Sequence, residues 1–393
     1  MKLCARLILI GCLLPHPGLH AAAETESTTA TDTSTPDTWY VIVSGIGGET
    51  HYSQRFDRWS RSIGQLISQY QDVTDKHVYR LADVDKANQG NGDQPDDRRS
   101  VQPHADDSTS SLVQVDARST RKNILSHLAT ISDQAAAGDT VFILFIGHGS
   151  TDGGRALFNI PGPDLSAQDL IEPLDALTKQ TVVLINTSAS SSPFLQKLAE
   201  PTRIVITATS NPAENQHTYF GQYFIQALAS TAADRDKDKR VSLLEAFNFA
   251  STATQRHYTD KGSIPTEHAL LDDDGDGIGS TEPSSSTLDS DTANDNLDGA
   301  RAARIFLHEG PRTGERSTEN SIAFDIAARA LVDEVESLKR IRDRLSSEEF
   351  DNRLEVLLLK IAKNRRDLRL ELQTAPEQSD LNKSKSAKSA ISE

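Results

Sequence analysis

Four short apolar runs constrain this chain more than any other feature: Trp39 to Ser44 (WYVIVS), Thr140 to Ile146 (TVFILFI), Thr181 to Ile185 (TVVLI) and Arg203 to Thr207 (RIVIT). They are near-continuous rather than alternating, which predicts strands buried on both faces, as in a parallel sheet covered by helices. Segments of helical periodicity separate them. Phe56, Trp59, Ile63, Leu66 and Ile67 follow the first run; Ile124, Leu125, Leu128 and Ile131 precede the second, with Gly138 as a stop. Leu165 to Leu177, introduced by Gly162-Pro163-Asp164, precedes the third, and Phe194 to Leu198 and Phe220 to Leu228 flank the fourth. His77 to Leu81 (HVYRL) predicts another strand, and Ala303 to Leu307 a last one. The alternation reads as βαβ units, hence an α/β fold with a doubly wound, mainly parallel sheet. In such sheets the chemistry sits at the carboxyl ends of the strands. Two of those ends carry reactive residue types: Gly147-His148-Gly149-Ser150, and Asn186 to Ser192 (NTSASSS).

The amino terminus predicts export. Lys2 and Arg6 precede the apolar stretch Leu7 to Leu14, and Ala21-Ala22-Ala23 supplies small residues for cleavage before Glu24, the pattern of a secretory signal peptide over residues 1–23. The expected location is periplasmic or extracellular. Leu9-Ile10-Gly11-Cys12 also matches a lipoprotein cleavage box, and a lipid on Cys12 is the alternative. Both cysteines, Cys4 and Cys12, lie in this segment, so cleavage before Glu24 leaves neither a disulfide nor a thiol nucleophile. Loss of Lys2 and Arg6 leaves 39 basic against 57 acidic residues, a charge of −18. That balance excludes the basic stripe of a nucleic-acid binder, and no apolar run is long enough to span a membrane.

A strand ending in His-Gly, followed by a second apolar strand ending in a small polar loop, resembles the caspase-like peptidases, most closely bacterial relatives of legumain. The residues that carry the likeness are FILFIGHGS, from Phe142 to Ser150, and VVLINTSASSS, from Val182 to Ser192. Ile204 to Thr209 (IVITAT) with Glu214 resembles the next strand and its substrate-facing loop, and the segment from Asp234 to Ala250 adds to the match, which runs over roughly 38–310. The resemblance implies a catalytic His at His148, a nucleophile at position 188, an oxyanion-binding backbone at Gly149 and a substrate contact at Glu214. It also shows a departure: Ser188 stands where the family has Cys, and shifting the alignment to Ser190 recovers no thiol. A thiol beside an imidazole ionises readily, whereas a serine hydroxyl needs a placed base and an orienting group. The leading expectation is a catalytically degenerate homologue that binds peptides or serves as a scaffold for a peptide or protein partner. A Ser188–His148 hydrolase is the alternative, and a structural turn histidine beside a hydrogen-bonded serine run is the third reading.

Asp234-x-Asp236-x-Asp238-x-Arg240-x-Ser242-x-x-Glu245 has the spacing of a calcium loop, with Arg240 offering its carbonyl and Glu245 closing the site from the first turn of a helix over Leu243–Ala250. Lys239 occupies the sixth position, where glycine makes the sharp turn. A structural Ca2+ or a solvated acidic turn fits this pattern. A second run, Asp272-Asp273-Asp274-Gly275-Asp276-Gly277, has the glycine but meets Pro283 at the closing position.

Leu331, Val335, Leu338 and Leu345, then Phe350, Leu354, Leu357, Ile361 and Leu368, predict two amphipathic helices over 318–372, joined where Ser346 to Glu349 (SSEE) resembles a capping box. So thin a hairpin is expected to dock on its own domain or to mediate association with a partner. The leader 24–37, the polar stretches 84–115 and 279–299 and the tail 373–393 read as irregular, and 38–310 as the α/β domain.

Overall fold

A computed structural model describes residues 36–70, 73, 77–83, 114–236, 238, 240–285, 298–308, scattered positions from 323 to 342, and 345–374. The proposed signal segment, Lys239, most of the leader and of the stretches 84–115 and 279–299, and the tail beyond 374 lie outside them.

Seven strands form the central sheet: β1 (Thr38–Ser44), β2 (Val78–Ala82), β3 (Ala117–Arg118), β4 (Thr140–Ile146), β8 (Thr181–Asn186), β9 (Arg203–Thr207) and β10 (Leu270–Asp272). Their order is β10-β9-β8-β4-β1-β2-β3. All pairings are parallel except β10 on β9. The apolar runs became the inner strands because both faces are covered. Alternate residues of β1 enter opposite cores: Tyr40 and Ile42 pack with α1 (Thr50–Ile67), α5 (Phe220–Leu228) and α6 (Leu243–Asp260). Trp39, Val41 and Val43 pack with α2 (Arg121–Gln134), α3 (Ala167–Asp175) and α4 (Ser192–Leu198). Each such fully buried aliphatic or aromatic side chain contributes about 1.5–3 kcal/mol relative to exposure.

The expected doubly wound, mainly parallel sheet is present, with three corrections. The predicted helix from Leu165 begins only at Ala167, because Leu165–Ser166 pairs as β7 in a small second sheet with β5 (Gly149–Asp152) and β6 (Arg155–Phe158). Ala303 to Leu307 is no strand: Ala302–Arg304 is a single 3-10 turn, and Phe306 makes only an isolated bridge to Ser242. The helix expected over Leu243–Ala250 continues to Asp260.

The helix α7 (Ser347–Thr374) starts where the sequence places it. Ser346 Oγ accepts the Glu349 N–H at 3.2 Å, while the Glu349 carboxylate pairs with Arg353 at 2.6 Å instead of reaching back. Described residues between 323 and 338 are helical, and Val335 and Leu338 pack with Leu357 in a cluster separate from the two cores. Val356, Leu358, Leu359 and Leu370 of α7 are more than half exposed.

Candidate active site

The strand order sets the site. From β1 the chain winds outward one way through β2, and from β4 the other way through β8 and β9, so the winding reverses between β1 and β4. In open sheets of this kind ligands bind at such a reversal, beyond the carboxyl ends of the two strands. The loop after β1 supplies Gly45 to Glu49, and the turn after β4 supplies His148. Gly47 sits so close to Ser53 of α1 that a Cβ there would overlap the Ser53 backbone nitrogen. This tight turn brings the Gly47 backbone within hydrogen-bonding reach of the His148 ring.

His148 is half-buried and edges onto the rings of Tyr52 and Phe56, with centroids 4.5 and 5.1 Å away. Burial lowers its pKa below 6.5, the neighbouring His217, Arg55 and His51 push the same way, and the bond to Gly47 opposes them. Burial thus favours the neutral imidazole. No carboxylate is hydrogen-bonded to it among the described residues.

Ser188 lies two residues past Asn186, which pairs with Phe145 of β4. It is 0% exposed. Its hydroxyl donates to Asn186 Oδ1 at 2.7 Å, and its backbone N–H donates to the same oxygen at 3.1 Å. No hydrogen bond joins Ser188 to His148 among the described residues. Gly149 passes directly over the serine: a Cβ on it would lie 2.7 Å from Ser188 Oγ and would collide with the Ala189 carbonyl oxygen. The rest of the loop is also tied down. Ser190, the one non-glycine residue at positive φ (53°) among those described, donates from its N–H to the Glu214 carbonyl and from its hydroxyl to the Pro212 carbonyl. Ser191 bonds Thr209 through both its N–H and its hydroxyl.

The structure thus brings His148, Gly149 and Ser188 to adjoining strand ends without joining the hydroxyl to the imidazole. Glu214 lies beside this loop, but its carboxylate accepts from Ser210 N–H at 2.8 Å and from His268 N–H at 3.2 Å, and it meets His268 Nδ1 at 2.6 Å.

Several residues of this rim were not singled out in the sequence. His51, Tyr52 and Arg55 come from the first turns of α1, His217 and Tyr219 from the segment before α5, and His257 and Lys261 from the end of α6. His217 Nε2 meets Tyr219 Oη at 2.7 Å, and Thr218 donates to the Thr187 carbonyl at 2.5 Å, which fastens this segment over the second strand end. The one local signal is the His51-Tyr52-x-x-Arg55 spacing, which puts His51 and Arg55 on one helix face.

Of the expected calcium loop, Asp234, Asp236 and Glu245 have carboxylate oxygens within 4.8 Å of one another. Asp238 pairs instead with Arg240 at 3.2 Å, while Ser242 Oγ donates to Glu245 Oε2 at 2.9 Å and so lies beside the group. Ser242 and Glu245 form a reciprocal capping box on α6, and Glu245 Oε1 also accepts the Arg235 N–H. Arg240 lays its guanidinium over the Phe306 ring at 3.9 Å. Asp272, Asp274 and Asp276 form a second such group. Asp272 accepts Gly275 N–H at 2.9 Å and Gly277 N–H at 2.8 Å.

A winding reversal flanked by a His-Gly turn and a serine loop defines a caspase-like α/β domain. The model of the Peptidase C13 family, the legumain family, matches residues 38–271, and the chain belongs to that family. A comparison with curated proteins finds no match for it.

Proposed function

We propose that this chain is an exported, non-catalytic member of the legumain family that holds a peptide at the strand ends beside His148. The observation that carries the reading is the Ser188 hydroxyl: fully buried, covered by Gly149 and committed to Asn186. A serine nucleophile needs a base within hydrogen-bond reach and a group that orients that base. Ser188 has an amide oxygen as its partner, and His148 has the Gly47 backbone. Export is supported by the residue pattern of positions 1–23. The test is a fluorophosphonate probe together with a peptide-pool hydrolysis assay. The expected result is neither labelling nor turnover. Labelling of Ser188, with turnover abolished by both Ser188→Ala and His148→Ala, establishes the Ser188–His148 hydrolase instead.

We further propose a structural calcium ion at Asp234, Asp236 and Glu245. Burial and the neighbouring Asp238, Glu245 and Asp234 charges raise the Asp236 pKa, a crowding that a cation relieves. With Lys239 in place of the usual glycine, the affinity expected is that of extracellular modules, about 10⁻⁴–10⁻³ M. At a hundredfold excess over Kd, binding adds about 2.7 kcal/mol to stability. Thermal melts in calcium, magnesium and chelator should show a calcium-specific rise that Glu245→Gln reduces. Superimposable curves remove the ion, and a rise that survives Glu245→Gln moves it to Asp272, Asp274 and Asp276.

A further inference from the structure

Two tyrosine rings collect the basic groups of this rim: four imidazoles together with the permanent cations Arg55 and Lys261. Around Tyr52 stand His51 at 3.9 Å, His148 at 4.5 Å and His217 at 6.0 Å between ring centroids, with the Arg55 guanidinium 5.2 Å from the ring centre. Around Tyr219 stand His257 at 3.8 Å, His217 at 4.8 Å and the Lys261 ammonium at 5.1 Å. His217 belongs to both sets, so the groups form one continuous strip, half-buried along most of its length and exposed at His51 and Lys261.

This concentration is out of keeping with the chain, where 57 acidic residues outnumber 41 basic ones. The carboxylates nearest the strip leave its permanent cations uncompensated. Glu49 pairs with His51 at 3.4 Å. Glu267 is buried and accepts the N–H groups of Tyr219 and Phe220 and the Tyr258 hydroxyl. Glu214 is held by Ser210 and His268. Asp260 acts on His257 and Tyr223. No carboxylate pairs with Arg55 or Lys261 among the described residues. A guanidinium or ammonium over an aromatic face is attracted by the ring and keeps hydrogen-bond donors for an incoming carboxylate.

We propose that this strip recognises an acidic peptide segment, with carboxylate side chains seated by Arg55, His217 and Lys261 across the Tyr52 and Tyr219 rings. The proposal rests on the peptide-binding reading above and specifies the class of peptide. Single cations spaced by tyrosines suit separate carboxylates, whereas a chain of net charge −16 repels a densely charged polyphosphate at longer range. Burial first, and then repulsion from neighbouring basic groups that include Arg55 in both cases, holds His217 and His148 below their usual pKa. A bound carboxylate opposes that repulsion, so binding takes up protons and tightens as the pH falls from 8 towards 6.

The experiment is fluorescence anisotropy on the full-length protein. The probes are a labelled Glu/Gly peptide, its Gln/Gly counterpart and a labelled oligo-dT. The Glu/Gly peptide should bind about tenfold more tightly than Gln/Gly, a difference of 1.4 kcal/mol, and should weaken with salt and with rising pH. Arg55→Gln combined with Lys261→Gln should remove most of that preference with the melting curve unchanged. Arg365→Gln with Arg369→Gln on α7 should leave it intact. Equal binding of the Glu and Gln peptides overturns the acidic preference while leaving peptide binding itself in place. Oligo-dT binding as tightly as the Glu peptide, loss of binding with the α7 variant instead, or no binding of any probe overturns the proposal. Hydrolysis of peptides would overturn the non-catalytic reading without touching this one, so the two failures are distinguishable.

Discussion

His148 and Ser188 sit at the ends of neighbouring parallel strands, yet their surroundings are opposite. His148 opens onto a half-buried rim of tyrosines and cations. Ser188 is sealed beneath Gly149 in a loop where the polar groups of Ser188, Ser190 and Ser191 bond to the chain itself. In a working dyad the two halves share one solvent-reached space and one proton. Here the histidine half lies half-buried against aromatic rings and the serine half is fully buried. A serine hydroxyl at this strand end readily hydrogen-bonds its own backbone or amide neighbours.

The sharpest way to break this contrast is at the seal. Gly149→Ala puts a methyl group against the Ala189 carbonyl and Ser188 Oγ, where neither neighbour is the free end of a flexible side chain. The expected loss is about 3 kcal/mol, the upper end of overpacking costs, read from urea unfolding. A loss within about 0.5 kcal/mol, typical of an open surface site, would show that the loop yields and that the seal is soft.

A smaller effect probes the open half. His148 and His217 have folded-state pKa values below 6.5, so as the pH falls past 6.5 the unfolded chain takes up protons before the folded one does. Their contribution to stability is therefore complete above 6.5 and declines as the pH falls from there towards the lowered folded-state values. The buried carboxyls of Asp298, pushed up to about 8, and of Glu267 work in the opposite direction. The quantity to follow is thus the difference between wild type and the His148→Gln, His217→Gln double variant in urea midpoint against pH. Wild type should lose ground relative to the variant below pH 6.5. A constant difference means that the imidazoles titrate normally and that the rim is as wet as bulk solvent.

What the sequence disclosed follows from how local each signal is. β1, β4, β8 and β9 are continuous apolar runs, legible because a strand buried on both faces tolerates nothing else. β10 escaped notice because only Leu270 and Leu271 precede its acidic run. β5 and β6 are four residues each, and β5 carries Gly149 and Asp152, types that strands disfavour. Ala303 to Leu307 misled for the converse reason: its apolar residues fill the core beside α5 and α6 from a turn. His148 and Ser188 were singled out because each follows a legible strand, and both lie at those strand ends. The rim was not, because Arg55, His217 and Lys261 come from three distant segments that only the sheet topology brings together. The Glu214 carboxylate is engaged by Ser210 and by His268, the latter 54 positions away, a pairing that no local pattern reveals.

The central claim, that position 188 is sealed off from the histidine rather than poised beside it, is tested most directly by Ser188→Cys with Cys4 and Cys12 changed to serine, which leaves a single thiol. Its rate of reaction with a small disulfide reagent is compared with that of free cysteine across pH. A buried thiol without a charge partner keeps a normal or raised pKa and reacts more slowly than free cysteine, and that is the result the account predicts. Reaction faster than free cysteine below pH 8, abolished by His148→Ala, would mean that the imidazole reaches position 188 and would contradict it.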